Sequence, residues 1–147
     1  TKPTTLDNVV LPFAHIELAL CAHKDYVHKF GLPNAHNIQS HRFIAQKERL
    51  EQLSWIEWIY THIPKNNITF TASSLQILNY ALLGGCGLGF TTKYTVDNNE
   101  DLIEIDIGET WTIETWILVH RDMINIPKIR QFLDILKQNN NLELELN

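Results

Sequence analysis

The 147 residues predict an α/β fold, a three-layer sandwich built on a mixed sheet. Three observations carry this reading. Stretches with apolar residues at every second position are interleaved with stretches of helical period. Strand and helix signals alternate along the middle of the chain, the pattern of helices laid on the faces of a sheet, and a late pair of strand-like stretches adds an antiparallel piece. With 44% apolar residues the chain is globular and long enough for a core of its own.

The elements follow in order. Thr1 to Pro12 begins polar and turns extended, with Pro3 and Pro12 disfavouring helix. Ile16, Leu18, Leu20 and Ala22 alternate with His15, Glu17, Ala19 and Cys21, which predicts a strand. Asp25 to Phe30 reads as a short helix with Tyr26, Val27 and Phe30 on one face and Gly31 as a left-handed cap. Past Leu32-Pro33, Ile38 to His41 forms one helical turn and Phe43-Ile44 a short strand. Ser54-Trp55-Ile56-Glu57 fits a capping box, the Ser54 hydroxyl accepting from the Glu57 N–H while the Glu57 side chain reaches back. That helix carries Trp55, Trp58 and Ile59 as its apolar stripe and ends near His62, before Pro64.

The run Thr69 to Phe90, TFTASSLQILNYALLGGCGLGF, is the most informative part of the chain. Ile68 to Thr71 is a strand, and Ser73 or Ser74 is a good N-cap for a helix over Leu75 to Leu83. That helix is apolar almost all round and is expected to be deeply buried. Gly84-Gly85 ends it, and Gly87-Leu88-Gly89-Phe90 returns as a short buried strand. Asp101 to Ile107 sets Ile103, Ile105 and Ile107 on one face, Gly108-Glu109 turns, and Trp111 to Val119 alternates again, together an antiparallel hairpin. Asn125-Ile126-Pro127 opens a last helix with Ile129, Phe132, Leu133 and Leu136 as its stripe, followed by a polar, frayed tail, QNNNLELELN.

Several functions are excluded by what these residues lack. The net charge is −5, and only Lys128, Arg130 and Lys137 gather on one helix, a solvated face and not a nucleic-acid surface. No apolar run reaches the roughly 18 residues of a membrane span, and TKPTTLDN has no signal-peptide design. Without an initiator Met, the chain is expected to be a cut or processed piece. Cys21 and Cys86 lie among apolar neighbours and, although one disulfide between them is possible, read as buried free thiols of a reducing cytoplasm. His23 and His28, like His36 and His41, are five apart and share no helical face, and no HExxH or Cys/His quartet occurs, so no metal is expected. Gly84 to Gly89 follows a helix and precedes a strand, the reverse of a phosphate loop. Ser73 and Ser74 have no nucleophile-elbow context, and Glu104, Asp106, Glu109 and Glu114 read as a solvated hairpin face. Neither a catalytic residue nor a cofactor is expected. What remains is recognition: a helix N-terminus with unpaired N–H donors beside two hydroxyls suits a carboxylate or small anion, although simple N-capping accounts for the same residues.

Four stretches in order, LALCAHKDYVHKFGLP, ITFTASSLQILNYALLGGCGLGF, TWILVHRDM and NIPKIRQFLDIL, resemble the effector-binding domain of LysR-type transcriptional regulators, mainly its second lobe, from about His15 to Lys137. The resemblance implies a periplasmic-binding-protein-like lobe over residues 14–120, a crossover or hinge over 1–13, and a return segment with closing helix and polar tail over 121–147. It implies a small polar or anionic effector bound in an interlobe cleft by Thr71, Ser73, Ser74 and the start of the helix at Leu75, with Phe90 and Thr91 lining the cleft. Thr91-Thr92 stands where that family usually has a proline, and nothing matches its winged helix-turn-helix or first-lobe strands. DNA contact is therefore expected only through a domain absent from this chain, with no membrane partner. The stripe on the last helix would lose its cover, which favours self-association. The alternatives are a solute-binding protein of a transport system, of similar architecture, and a small enzyme or interaction domain.

Overall fold

The structure, a computed structural model, describes residues 7–48 and 53–140. The opening residues as far as Leu6 and, of the predicted tail QNNNLELELN, residues 141–147 lie outside the described residues, whereas Gln138–Asn140, expected in the frayed tail, continue the last helix. The chain divides into two compact units, Glu17–Trp111, and Thr1–Ile16 with Thr112–Asn147.

In the larger unit the strand β1 (Asn8–His23) is flanked from Leu18 onward by β4 (Gly89–Thr92) and β5 (Leu102–Glu104), both antiparallel to it. The strands β2 (Phe43–Gln46) and β3 (Ile68–Ala72) pair in parallel. A parallel bridge between Phe43 and Leu88 joins the two sheets: Leu88 N–H donates to the Arg42 carbonyl at 2.8 Å and Ile44 N–H to the Leu88 carbonyl at 2.8 Å. The strands thus run β3, β2, β4, β1, β5, the mixed sheet that the sequence predicts.

Alternation along these strands sorts the core into two layers. Leu20, Ala22, Phe43 and Ala45 face the helices α1 (Lys24–Phe30) and α2 (Ser54–His62), packing with Tyr26, Trp58 and Ile59. Ala19, Cys21, Ile44 and Leu102 face the other way, to Ala81 and Leu82 of α3 (Leu75–Leu83) and Val96 of α4 (Lys93–Asp97). Helix, sheet and helix make the three layers. Tyr26 is fully buried, and its hydroxyl accepts the Arg42 N–H at 2.9 Å and meets His41 Nδ1 at 3.0 Å. Burial pushes the His41 pKa below its ordinary value.

The smaller unit pairs β1 with β6 (Trp111–His120) and adds α5 (Pro127–Asn140). The Thr115 hydroxyl accepts from the Ala14 N–H and donates to the Ala14 carbonyl. Leu133 of α5 is fully buried with Leu11 and Val119, and Ile129 packs beside them. Phe132, also predicted on the stripe, is exposed.

Five local expectations change. Leu53, not Ser54, takes the N-cap position of α2, its carbonyl accepting the Glu57 N–H at 3.0 Å, and the Leu53 side chain supplies no cap bond. A cap is worth about 1 kcal/mol, less than burying Ile56, Trp58 and Ile59, so packing sets where the helix starts. The strands β5 and β6 do not form a hairpin with each other among the described residues; each pairs with the long β1. Gly31 has the positive φ its place demands, but ψ is 165°, extended and not left-handed helical. Cys86 is exposed in the turn after α3, whereas Cys21 is buried as expected. The helix α3 itself is not enclosed: Leu75 and Tyr80 are each 65% exposed, Ile77 49% and Leu83 42%. Only Ala81 and Leu82 reach the core, because the sheet covers one face of this helix and no other element among the described residues covers the rest.

Candidate functional site

The parallel neighbours β2 and β3 end side by side, and the helices that follow them lie on opposite faces of the sheet, α2 after β2 and α3 after β3. Connections that diverge in this way open a crevice at the carboxyl ends of the strands, the position where open α/β sheets take ligands. The hollow there encloses about 50 Å³. Trp55 and Ile59 wall it from α2, Leu75 and Asn79 from α3, and Gln46 and Phe90 close its floor. Ligand pockets run to about 300 Å³ or more, so the hollow alone is smaller than a ligand pocket.

The rim is polar. The Ser73 hydroxyl donates to Glu48 Oε1 at 2.6 Å, and the Lys47 N–H donates to the Ala72 carbonyl at 3.0 Å. The Ser73 hydrogen bond holds the Glu48 carboxyl below its usual pKa. Ser74 occupies the N-cap position of α3 in extended conformation, yet its hydroxyl makes no cap bond. The first-turn amides of α3 therefore face outward without an intrahelical acceptor, at the positive end of the helix dipole.

The six residues singled out from the sequence do not all converge. Leu75 and Phe90 line one hollow, and Ser73 and Ser74 stand at its rim. Thr71 is exposed on β3, paired with Ala45. Thr91 is only 9% exposed and pairs with Ala19, so it faces the α3–α4 layer, while Phe90 pairs with Leu20 and faces α2. Phe90 is held by edge-to-face contacts with Trp111, centroids 4.7 Å apart, and Trp58 at 6.2 Å. The sequence reading passed over Gln46, Glu48, Trp55 and Asn79. Asn79 had a visible signal, a polar residue inside an otherwise apolar helical run; Glu48 had none, because its contact to Ser73 spans 25 residues.

Among the described residues no group of three or more His, Cys, Asp or Glu side chains could hold a metal ion, and no helix is long and apolar enough to cross a membrane.

Residues 2–141 match the family model described as LysR substrate binding domain. The fold is similar to the regulatory domain of CrgA, a LysR-type transcriptional regulator from Neisseria meningitidis, at 22% identity and a TM-score of 0.71, covering 95% of this chain and 72% of that one. It is similar to full-length AphB, a Vibrio cholerae virulence activator, at 14% identity and 0.67, covering 94% and 49%. It is also similar to the Synechocystis CcmR regulatory domain in complex with 2-PG, at 16% identity and 0.65, covering 95% and 71%. The chain thus spans about half the length of the full-length regulator it matches. No curated protein matches the sequence.

Proposed function

The chain belongs to the LysR substrate binding domain family, and we propose that it senses a small polar or anionic effector at the carboxyl ends of β2 and β3. The carrying observation is the diverging exit of α2 and α3 over a hollow lined by Trp55, Leu75 and Phe90, with the α3 amides and Ser73 at its rim. The parent protein is read as a cytoplasmic transcriptional regulator and not a transport protein, with DNA bound by a separate winged domain and no catalysis by this chain.

Glu48 sharpens the chemistry. Its carboxylate already accepts from Ser73, so it holds the place an effector carboxylate would take. An anionic effector must displace it, and removing it should help such a ligand. Calorimetric titration with a panel of small carboxylates, amino acids and phosphates, 2-PG among them, is expected to find a ligand. Ser73→Ala with Ser74→Ala should weaken its binding by about tenfold, the loss of one to two hydrogen bonds. Glu48→Ala should strengthen an anionic ligand severalfold. Binding unmoved by either change removes the effector from this crevice.

The exposed apolar face of α3 favours a second copy of this chain as its cover, since Ile77, Tyr80 and Leu83 lie roughly three residues apart on one side. Ile77→Ser with Tyr80→Ser is expected to lower the sedimentation mass from dimer to monomer; a mass that stays dimeric would assign the contact elsewhere.

A further inference from the structure

A second hollow, of about 520 Å³, lies at the other end of the same sheet. It is walled by Lys29 and Phe30 of α1, Arg42 just before β2, Thr69 of β3 and Cys86 in the turn after α3. Arg42, in this lining, precedes β2, and Gln46, in the other, ends it, about 13 Å further along the strand at about 3.3 Å per residue. The two linings share no residue, although they meet within the sheet, where Ile44 of the first is paired with Phe70 of the second.

The charges in this groove are unusual for a chain of net charge −5. The Arg42 guanidinium carbon sits 4.7 Å from the Phe30 ring centroid and the Lys29 ammonium 5.3 Å from the same ring. One aromatic ring thus gathers two cations that would otherwise repel. Among the described residues neither cation makes an ion pair, although acidic residues outnumber basic ones in the sequence by 17 to 12. The acid in the groove, Asp25, has its carboxylate 3.5 Å from His23 Nδ1. By contrast Lys24 and Lys93 both sit on carboxylates. The Arg42 main chain is fixed, its N–H on the Tyr26 hydroxyl and its carbonyl on the Leu88 N–H, so the base of the guanidinium arm does not wander.

We propose that this groove is a second binding site, for a small oxyanion held between Arg42 and Lys29, with the Thr69 hydroxyl as a further donor. Carboxylate and phosphate share the required chemistry: compact negative charge with several acceptor oxygens that a forked guanidinium and an ammonium can reach together. The site shares no lining residue with the effector crevice and lies toward the opposite ends of β2 and β3.

Cys86 makes the proposal measurable. It is the exposed thiol of the two in the chain, and it lines the groove. Cys21 is fully buried, and burial, with the Glu104 charge adding to it, pushes its thiol up to about 12. Alkylation by the neutral reagent iodoacetamide, read by mass spectrometry, therefore reports the groove at Cys86 and intactness of the fold at Cys21. Inorganic phosphate and malonate are titrated separately, against sodium chloride at matched ionic strength. The expected result is saturable, severalfold slowing at Cys86 by phosphate, malonate or both, the pattern telling which oxyanion the groove prefers, with chloride without effect. Lys29→Gln with Arg42→Gln should weaken that protection by about tenfold or more while Cys21 stays unreactive. Should the double variant expose Cys21, the chloride comparison on the unchanged chain still decides. No protection by either oxyanion, equal protection by chloride, or protection that survives the double substitution in a folded chain overturns the proposal.

Discussion

Gly87→Ala is expected to cost more than about 3 kcal/mol of stability, measured as a fall in the urea midpoint. A Cβ at this position would stand 2.8 Å from the Arg42 carbonyl oxygen and 3.2 Å from its carbon. Both are backbone atoms, so no rotamer change relieves the contact. The same carbonyl accepts the Leu88 N–H, one of two hydrogen bonds that join β2 to the strand segment before Phe90. Relief would mean parting the sheet between the floor of the crevice and its own support. Gly31→Ala is the control: nothing lies within 4 Å of its added Cβ, but φ is +86°, so only backbone strain remains, about 1–2 kcal/mol. A loss at Gly87 no larger than at Gly31 would mean that the two segments slide apart without penalty.

Trp58→Ala is expected to cost about 3–5 kcal/mol, the range for removing a large buried aromatic side chain. Its ring meets Phe43, Phe90, Trp111 and His62 with centroids between 5.1 and 6.2 Å, and its Nε1 donates to Glu109 at 3.1 Å. Glu109→Gln keeps an acceptor and should lose about 1 kcal/mol at most. Because Trp58 supports Phe90 from behind, its removal should also weaken effector binding, beyond the loss of stability. Denaturant melts and calorimetry on one sample separate the two effects. A cost below about 2 kcal/mol would show that the neighbouring rings collapse into the space.

What the sequence discloses and what it hides divide along physical lines. Period-two and helical patterns located β1, β3, α2, α3 and α5, since each buries at least part of a face and that burial is written in the residues. The placing of β5 and β6 was not legible, because alternation tells which face of a strand is buried and is silent on which strand lies beside it. Both strands chose β1, whose 16 residues offer partners at two places. The exposure of α3 was hidden for a related reason. An all-round apolar helix implies full burial only if every face finds cover within the chain, and among the described residues Ile77, Tyr80 and Leu83 stay largely exposed. At the site, the helix start after Ser74 was readable from local chemistry, whereas Glu48 and Trp55 arrive through tertiary contact. The anion groove left no pattern at all: Lys29, Arg42, Thr69 and Cys86 come from four separate segments.

The alternation at Phe90 and Thr91 has a consequence for genetics. These are adjacent codons, yet their side chains belong to opposite layers, one to the aromatic group beneath the crevice and the other to the packing of α3 and α4. Allelic changes at codon 90 should gather with those at codons 58 and 111, and changes at codon 91 with those at 19, 82 and 96. A mutational map smoothed along the gene would average the two classes into one and erase the distinction the strand makes.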